Sequence, residues 1–176
     1  MKEYGEFYEV KSARKIMKVV PVRLRENPIQ KIFKTCLSIR TDNFMTFLES
    51  LPEVYRRNIG EIETPWRFPR LARYLGQGKV IGVGDASVED ARSSHAYILE
   101  STDEEVSVQG VAPIDNDPDD ASSNRTESCS VVAMLTLATA VSLFYDVDTP
   151  RITIYSDNKE AIHNNLRILR TDEIER

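Results

Sequence analysis

Three single carboxylates stand in short polar contexts that are typical of metal-binding positions. Asp85 lies in GVGDAS, Glu127 in SSNRTES and Asp157 in TIYSDNKEA. Asp85 and Asp157 close β-rich runs, and Glu127 opens a long apolar helix. Carboxylates that converge repel one another unless a cation neutralises them. Because hard oxygen ligands without a nearby cysteine or histidine favour Mg²⁺ or Mn²⁺, the three residues predict a site for one of these metals.

The elements that must position these acids follow from the hydrophobic periodicity after residue 78. Strand-like runs come first, a long apolar helix follows them, and a further strand and helix complete the order β-β-β-α-β-α. The first three strands form an antiparallel meander, and a right-handed crossover places the fourth strand parallel to the first. Asp85 and Asp157 then lie at the carboxyl ends of neighbouring strands. The predicted elements cover residues 79–85, 94–100, 106–111, 126–145, 151–156 and 158–169.

The chain before residue 77 has a different pattern, with apolar residues at helical spacing from residue 27 onward. The last helix of this part is predicted to bury Trp66, Leu71 and Leu75 and to end at Gly76 and Gly78. Roughly the first twenty residues show little periodicity and are interpreted as a leader or as the remnant of a preceding domain. The predicted organisation is a basic and helical N-terminal extension followed by an α/β domain, over residues 1–76 and 77–176.

The net charge of −5 conceals two regions of opposite sign. Residues 1–40 carry ten basic and four acidic residues, a net charge of +6, whereas residues 100–128 carry nine acidic residues and one basic residue. A basic arm beside metal-binding carboxylates fits a nucleic-acid partner, and the alternative is two solvated faces of opposite sign. A long apolar run and the apolar core of a secretory signal are both missing, which predicts an intracellular protein, cytoplasmic or nuclear, that does not bind membranes.

Three motifs together resemble a known family. The Asp85-Ala86-Ser87 segment, the Ser-Asn-Arg-Thr-Glu start of the long helix at Glu127 and the Tyr-Ser-Asp-Asn strand end at Asp157 are similar to the type-1 ribonuclease H domain of retroelement reverse transcriptases. The resemblance covers residues 77–170, and its most specific motif is the Asn-Arg-x-Glu helix start. It implies a ribonuclease H-like mixed sheet, with three antiparallel strands and then a parallel strand, preceded by an N-terminal helical extension.

The resemblance also implies an activity, the hydrolysis of the RNA strand of RNA–DNA hybrids with two Mg²⁺ or Mn²⁺ ions. In that family the acid of the first strand binds both ions, which corresponds to Asp85, while Glu127 and Asp157 each bind one. Asn124 corresponds to a position that contacts the minor groove of the substrate. Ser87 corresponds to a position beside the first ligand.

Two departures from the family pattern keep other functions open. Ala86 stands where glycine is usual, and only nineteen residues follow Asp157, too few for the family's last strand, last helix and fourth acidic ligand. One alternative is therefore a catalytically inactive, nucleic-acid-binding remnant of such a domain. A transposase or integrase of the same superfamily is a further alternative, against which Glu127 argues because those enzymes take their glutamate from a later helix. His95 is predicted to be a surface or packed strand residue and not a catalyst.

Overall fold

The computed structural model describes residues 8–11, 16–23, 28–37, 43–63, 65–89, 92–114 and 123–157. These residues form an α/β fold in which one mixed sheet carries helices. A single 3-10 turn, Pro65–Arg67, precedes the last of the four short helices. In chain order the elements are β1 Tyr8–Lys11, β2 Ile16–Arg23, α1 Pro28–Leu37, α2 Phe44–Ser50, α3 Glu53–Ile59, β3 Glu61–Ile62, α4 Phe68–Gln77, β4 Val80–Glu89, β5 Arg92–Ser101, β6 Ser107–Ile114, α5 Ser123–Phe144 and β7 Arg151–Ser156.

The sheet has the order β1-β2-β7-β4-β5-β6-β3. β4, β5 and β6 form an antiparallel meander, and β7, which follows α5, pairs in parallel with β4. This arrangement confirms the predicted order of three antiparallel strands, a helix and a parallel strand. The predicted helix over residues 158–169 lies outside the described residues.

β4 is longer than its sequence pattern predicts. The prediction ends this strand at Asp85, but its antiparallel pairing with β5 continues to the pair Glu89 and Arg92. Asp85 therefore lies within a strand and not in a turn. The parallel pairing with β7 ends earlier, at Val83 and Tyr155, so Asp85 stands where β4 has lost one of its two neighbours.

The start of the chain belongs to the sheet. β2 pairs antiparallel with β7, and β1 pairs antiparallel with β2. The apolar run IMKVVPV of β2 is typical of a strand, although the sequence pattern predicts no element for it. One hydrophobic core includes residues from both sides of the boundary predicted at residue 76, and the division into two domains stays a prediction.

α5 lies at the centre of the helical layer, which explains why it is apolar on all sides. It contacts β4 and β5, and it also contacts α1, α2, α3 and α4. The segment Arg125–Phe144 of α5 is long and apolar enough to cross a membrane. However, 67% of its most apolar 18-residue stretch is buried by the rest of the chain. Such burial is typical of the core helix of a soluble protein.

α4 confirms two of its three predicted core residues. Leu71 and Leu75 are fully buried, whereas Trp66 is 72% exposed. The prediction for Trp66 is wrong because this residue belongs to the 3-10 turn before the helix, and the buried face of α4 begins at Phe68. The helix ends at Gln77 and is capped by Gly78, whose φ of 67° lies in the left-handed region that glycine adopts without strain.

Candidate functional site

Asp85 and Asp157 follow the last residue pair of two neighbouring parallel strands by the same number of residues. The last pair between β4 and β7 is Val83 with Tyr155, and each aspartate is two residues further along the chain. Since alternate residues of a strand share a face, Asp85 lies on the same face as Val83, and Asp157 is the residue just after the end of β7. Adjacent strands are about 4.8 Å apart. The predicted placement of the two acids at the carboxyl end of a parallel strand pair is confirmed, and their meeting at one site stays a prediction.

This face of the sheet is open within the described part of the chain. Three of its apolar side chains, those of Val83, Ile98 and Val111, are each about 40% exposed, at 41%, 39% and 45%. Asp85 is exposed on the same face, and one of its carboxylate oxygens, Oδ1, accepts a hydrogen bond from the backbone N–H of Ala86 at 2.9 Å. A bound molecule therefore has direct access to the carboxylate of Asp85.

Ser87 continues the polar row that begins at Asp85. It is exposed, it lies two residues along the same strand, and it stands directly opposite Ser94 of β5. Ser94 is also exposed, so two hydroxyl groups and a carboxylate line this stretch of the open face. Ser94 is absent from the sequence-based site, although the two-residue alternation of SHAYILE could have placed it on the face opposite His95.

Glu127 lies on the other face of β4. A Cβ atom on Gly84 would stand 2.6 Å from Oγ of Ser130, and one on Gly82 would stand 2.8 Å from Sδ of Met134. α5 thus packs on the face of the two glycines and runs antiparallel to β4, and Glu127 lies one turn nearer the carboxyl end than Ser130. Its side chain is 6% exposed. Glu127 is therefore near the level of Asp85 but on the inner face, while Asn124 lies in the first turn of α5.

The three predicted ligands do not form one cluster. Among the residues that the structure describes, no group of three histidine, cysteine or acidic side chains is close enough to hold a metal ion. Strand alternation explains this, because it directs Asp85 away from the face on which α5 packs. Mg²⁺ commonly binds through one or two carboxylates and retains water molecules, so the donor chemistry of Asp85 and Asp157 fits this ion. The assignment of Asp85, Glu127 and Asp157 as metal ligands stays a prediction.

His95 is a packed strand residue, which is one of its two predicted placements. It pairs with Ala86, is 2% exposed and stacks on Tyr97 with ring centroids 6.2 Å apart. Neither ring nitrogen has a hydrogen-bond partner of ordinary geometry among the described residues. Burial lowers the pKa of His95, and the nearby backbone of Asn58 offsets part of this effect. The imidazole is therefore held neutral in the folded protein.

The neutral state of His95 predicts a loss of stability in mild acid. The unfolded chain binds a proton near the ordinary pKa of 6.5 and the folded chain binds it only at lower pH, so the free energy of unfolding falls as the pH drops below 6.5. From pH 7.5 to 5.5 we expect His95 to account for a loss of up to about 1.4 kcal/mol. Urea unfolding at both pH values measures the change.

The control for this pH effect is the other histidine of the chain. His95→Phe should flatten the difference between the two pH values, and His163→Gln should leave the contribution of His95 in place. A His95→Phe protein with the same pH dependence as the wild type would show that a different group binds the proton.

The candidate site consists of Asp85 and Asp157, the open face of the sheet beside Asp85, and the buried Glu127 on the other face. Comparison of the chain with protein-family models, with curated proteins and with solved structures found no match.

Proposed function

We propose that this chain is a metal-dependent endonuclease of the ribonuclease H type, which hydrolyses the RNA strand of RNA–DNA hybrids. The observation that carries the proposal is the level placement of Asp85 and Asp157 on adjacent parallel strands. The order of the elements supports a ribonuclease H-like fold, because the meander β4-β5-β6 is followed by the crossover helix α5 and the parallel strand β7. The Asn-Arg-x-Glu start of α5 supports a member of the retroelement type.

Asp85 and Asp157 would hold Mg²⁺ or Mn²⁺ through their carboxylates. Divalent ions of this kind, two in the complete family site, supply a nucleophilic water at neutral pH and neutralise charge on the leaving oxygen of a phosphodiester. The two side chains themselves would hold the ions at the carboxyl edge of the sheet, because carboxylates alone repel a phosphate. Glu127 would contribute from the inner face, at the first turns of α5.

The open face gives the substrate a place to bind. Ser87 and Ser94 present hydroxyl groups beside Asp85, and hydroxyl groups donate to phosphate or ribose oxygens. In an RNA–DNA hybrid the wide minor groove displays the 2′-hydroxyls by which RNA is distinguished from DNA. Asn124, in the first turn of α5, would contact that groove from the same end of the sheet.

A cleavage assay on matched substrates tests the proposal. With Mg²⁺ or Mn²⁺ we expect the end-labelled RNA of a hybrid to be cut internally, while a DNA duplex of the same sequence and the free RNA remain intact. Chelation of the metal with EDTA should stop the reaction. The protein has to come from a host that lacks its own hybrid nuclease, because trace contamination would give the same products. A purified protein that leaves the hybrid intact with both metals would refute the nuclease proposal.

One observation favours a second candidate, an inactive module that binds nucleic acid. The described residues contain no group of three metal-binding side chains, and Glu127 is buried away from Asp85. Such a module would bind hybrid in a salt-sensitive manner, would not cut it, and would bind equally well after Asp85→Asn. Binding and cutting measured on the same preparation separate the two candidates.

A further inference from the structure

The pairing of β2 with β7 brings the basic start of the chain to the end of the sheet that holds the two aspartates. β2 is antiparallel to β7, so the beginning of β2 lies at the carboxyl end of β7. Lys18 pairs with Ser156, the residue just before Asp157. β2 begins two residues earlier, at Ile16, and Ile16 pairs with Lys11 of β1. The backbone of Lys11 therefore stands slightly beyond the level of Asp157.

The charge of this segment is of one sign. Residues 10–18 contain four basic residues and no acid, although Glu9 of β1 pairs with Lys18. Of these four, Lys11 and Lys18 are the residues whose backbone positions the pairing places. Because Lys18 stands opposite Ser156, their positions belong to the face of Ile152 and Ile154, and they share with Asp85 the end of the sheet but not the face. At the other end of β2, Arg23 pairs with Arg151, about 17 Å from Lys18 at the usual rise per residue.

The acidic turn between β5 and β6 is too far away to neutralise these lysines. It follows Ser101, which pairs with Val80 at the start of β4, so residues 102–105 lie at the opposite end of the sheet. The described acids at the lysines' own end include Glu9, Asp85, Glu89, Glu127 and Asp157, and Glu9 stands directly opposite Lys18. Carboxylates repel phosphate, whereas lysines attract it and release counterions when a nucleic acid binds.

We propose that the paired ends of β1 and β2, marked by Lys11 and Lys18, bind the phosphate backbone of a nucleic acid and align it with the edge that holds Asp85 and Asp157. The proposal rests on the proposed function, because it names the part of the chain that holds the substrate of that site. Its contacts go to phosphates and carry no sequence preference.

The test is the salt dependence of hybrid binding without metal, so that cutting does not interfere. Lys11→Gln with Lys18→Gln should lower the slope of log K against log salt concentration by about 2, since each phosphate contact contributes about 0.9. The control removes two facing cations at the other end of β2, through Arg23→Gln in β2 with Arg151→Gln in β7, and should leave the slope unchanged. Each single lysine variant should lower the slope by about 1, and Lys11→Arg with Lys18→Arg should retain it.

Each outcome separates this inference from the proposed function. Equal slopes for the lysine and arginine variants, or no hybrid binding by the wild type, would overturn the inference. The same holds if the lysine variant loses binding to anionic lipid vesicles and keeps its binding to hybrid. If the salt dependence of hybrid binding falls for the lysine variant and not for the arginine variant, the inference is supported. This holds even if the wild type does not cut hybrid with Mg²⁺, and then only the proposed function fails. If the wild type cuts hybrid and the slopes are unchanged, the inference alone fails and the proposed function stands.

Discussion

Asp85→Asn is expected to slow hybrid cleavage about a thousandfold. A metal ion held by this carboxylate contributes several kcal/mol to the stabilisation of transition-state charge, and each 1.36 kcal/mol corresponds to a factor of ten in rate. Loss of roughly 4 kcal/mol gives the stated factor. The amide of asparagine has nearly the size of the carboxylate but no negative charge. It also retains an oxygen that can accept the 2.9 Å hydrogen bond from the backbone of Ala86, so the fold should tolerate the change.

The appropriate control is an acid of the same type away from the sheet edge. Asp148 is exposed in the turn between α5 and β7, and Asp148→Asn should cut hybrid at the wild-type rate. Single-turnover rates measure the effect, circular dichroism checks the fold, and calorimetry should show weaker Mg²⁺ binding for Asp85→Asn alone. Cleavage by Asp85→Asn within a factor of about three of the wild type would exclude this carboxylate as a metal ligand.

The level placement of Asp85 and Asp157 could be predicted because it depends on simple rules. The order of strands and helix is visible in the periodicity, and the handedness of the crossover leaves one position for β7 beside β4. The strand alternation that puts Asp85 on the face of Val83 also follows from the sequence. These features are local or follow from general rules, so no knowledge of the packed structure is needed.

The placement of β2 could not be predicted in the same way. Its run IMKVVPV has no pattern that names β7 as its neighbour, because pairing between distant strands depends on which sheet edge remains available after the rest has folded. The length of β4 has a similar cause. Its last three residues are exposed, and they are held in a strand by pairing with the backbone of β5 and not by their own burial.

Glu127 shows how the packing of a helix decides the position of a candidate ligand. The sequence places this residue at the start of α5, but which side of the sheet it occupies depends on where α5 lies against β4. That contact is made at Gly84, where the helix comes so close that Ser130 occupies the space of a side chain. The backbone of Glu127 is part of the same contact, since its carbonyl oxygen accepts a hydrogen bond from Oγ of Ser130 at 2.8 Å. Gly84 therefore controls how near the start of α5 comes to the sheet edge.

Gly84→Ala is expected to destabilise the protein by about 1–3 kcal/mol more than Gly82→Ala does. At position 84 the added Cβ would stand 2.6 Å and 2.8 Å from Oγ and Cβ of Ser130, and the latter atom is fixed to the helix backbone, so α5 has to move. At position 82 the nearest atom is Sδ of Met134 at 2.8 Å, in a flexible side chain that can turn away. Both changes reduce the flexibility of the unfolded chain equally, so their difference isolates the contact with the helix.

A double-mutant cycle in urea identifies the atoms responsible for this difference. Ser130→Gly removes both atoms that the new Cβ would meet, so in the Gly84→Ala protein it should restore part of the lost stability, even though glycine alone weakens a helix by up to about 1 kcal/mol. If Gly84→Ala and Gly82→Ala cost the same, α5 does not depend on this close approach. If Gly84→Ala also slows hybrid cleavage while the folded fraction stays high, the position of the start of α5, and of Glu127 within it, contributes to the site.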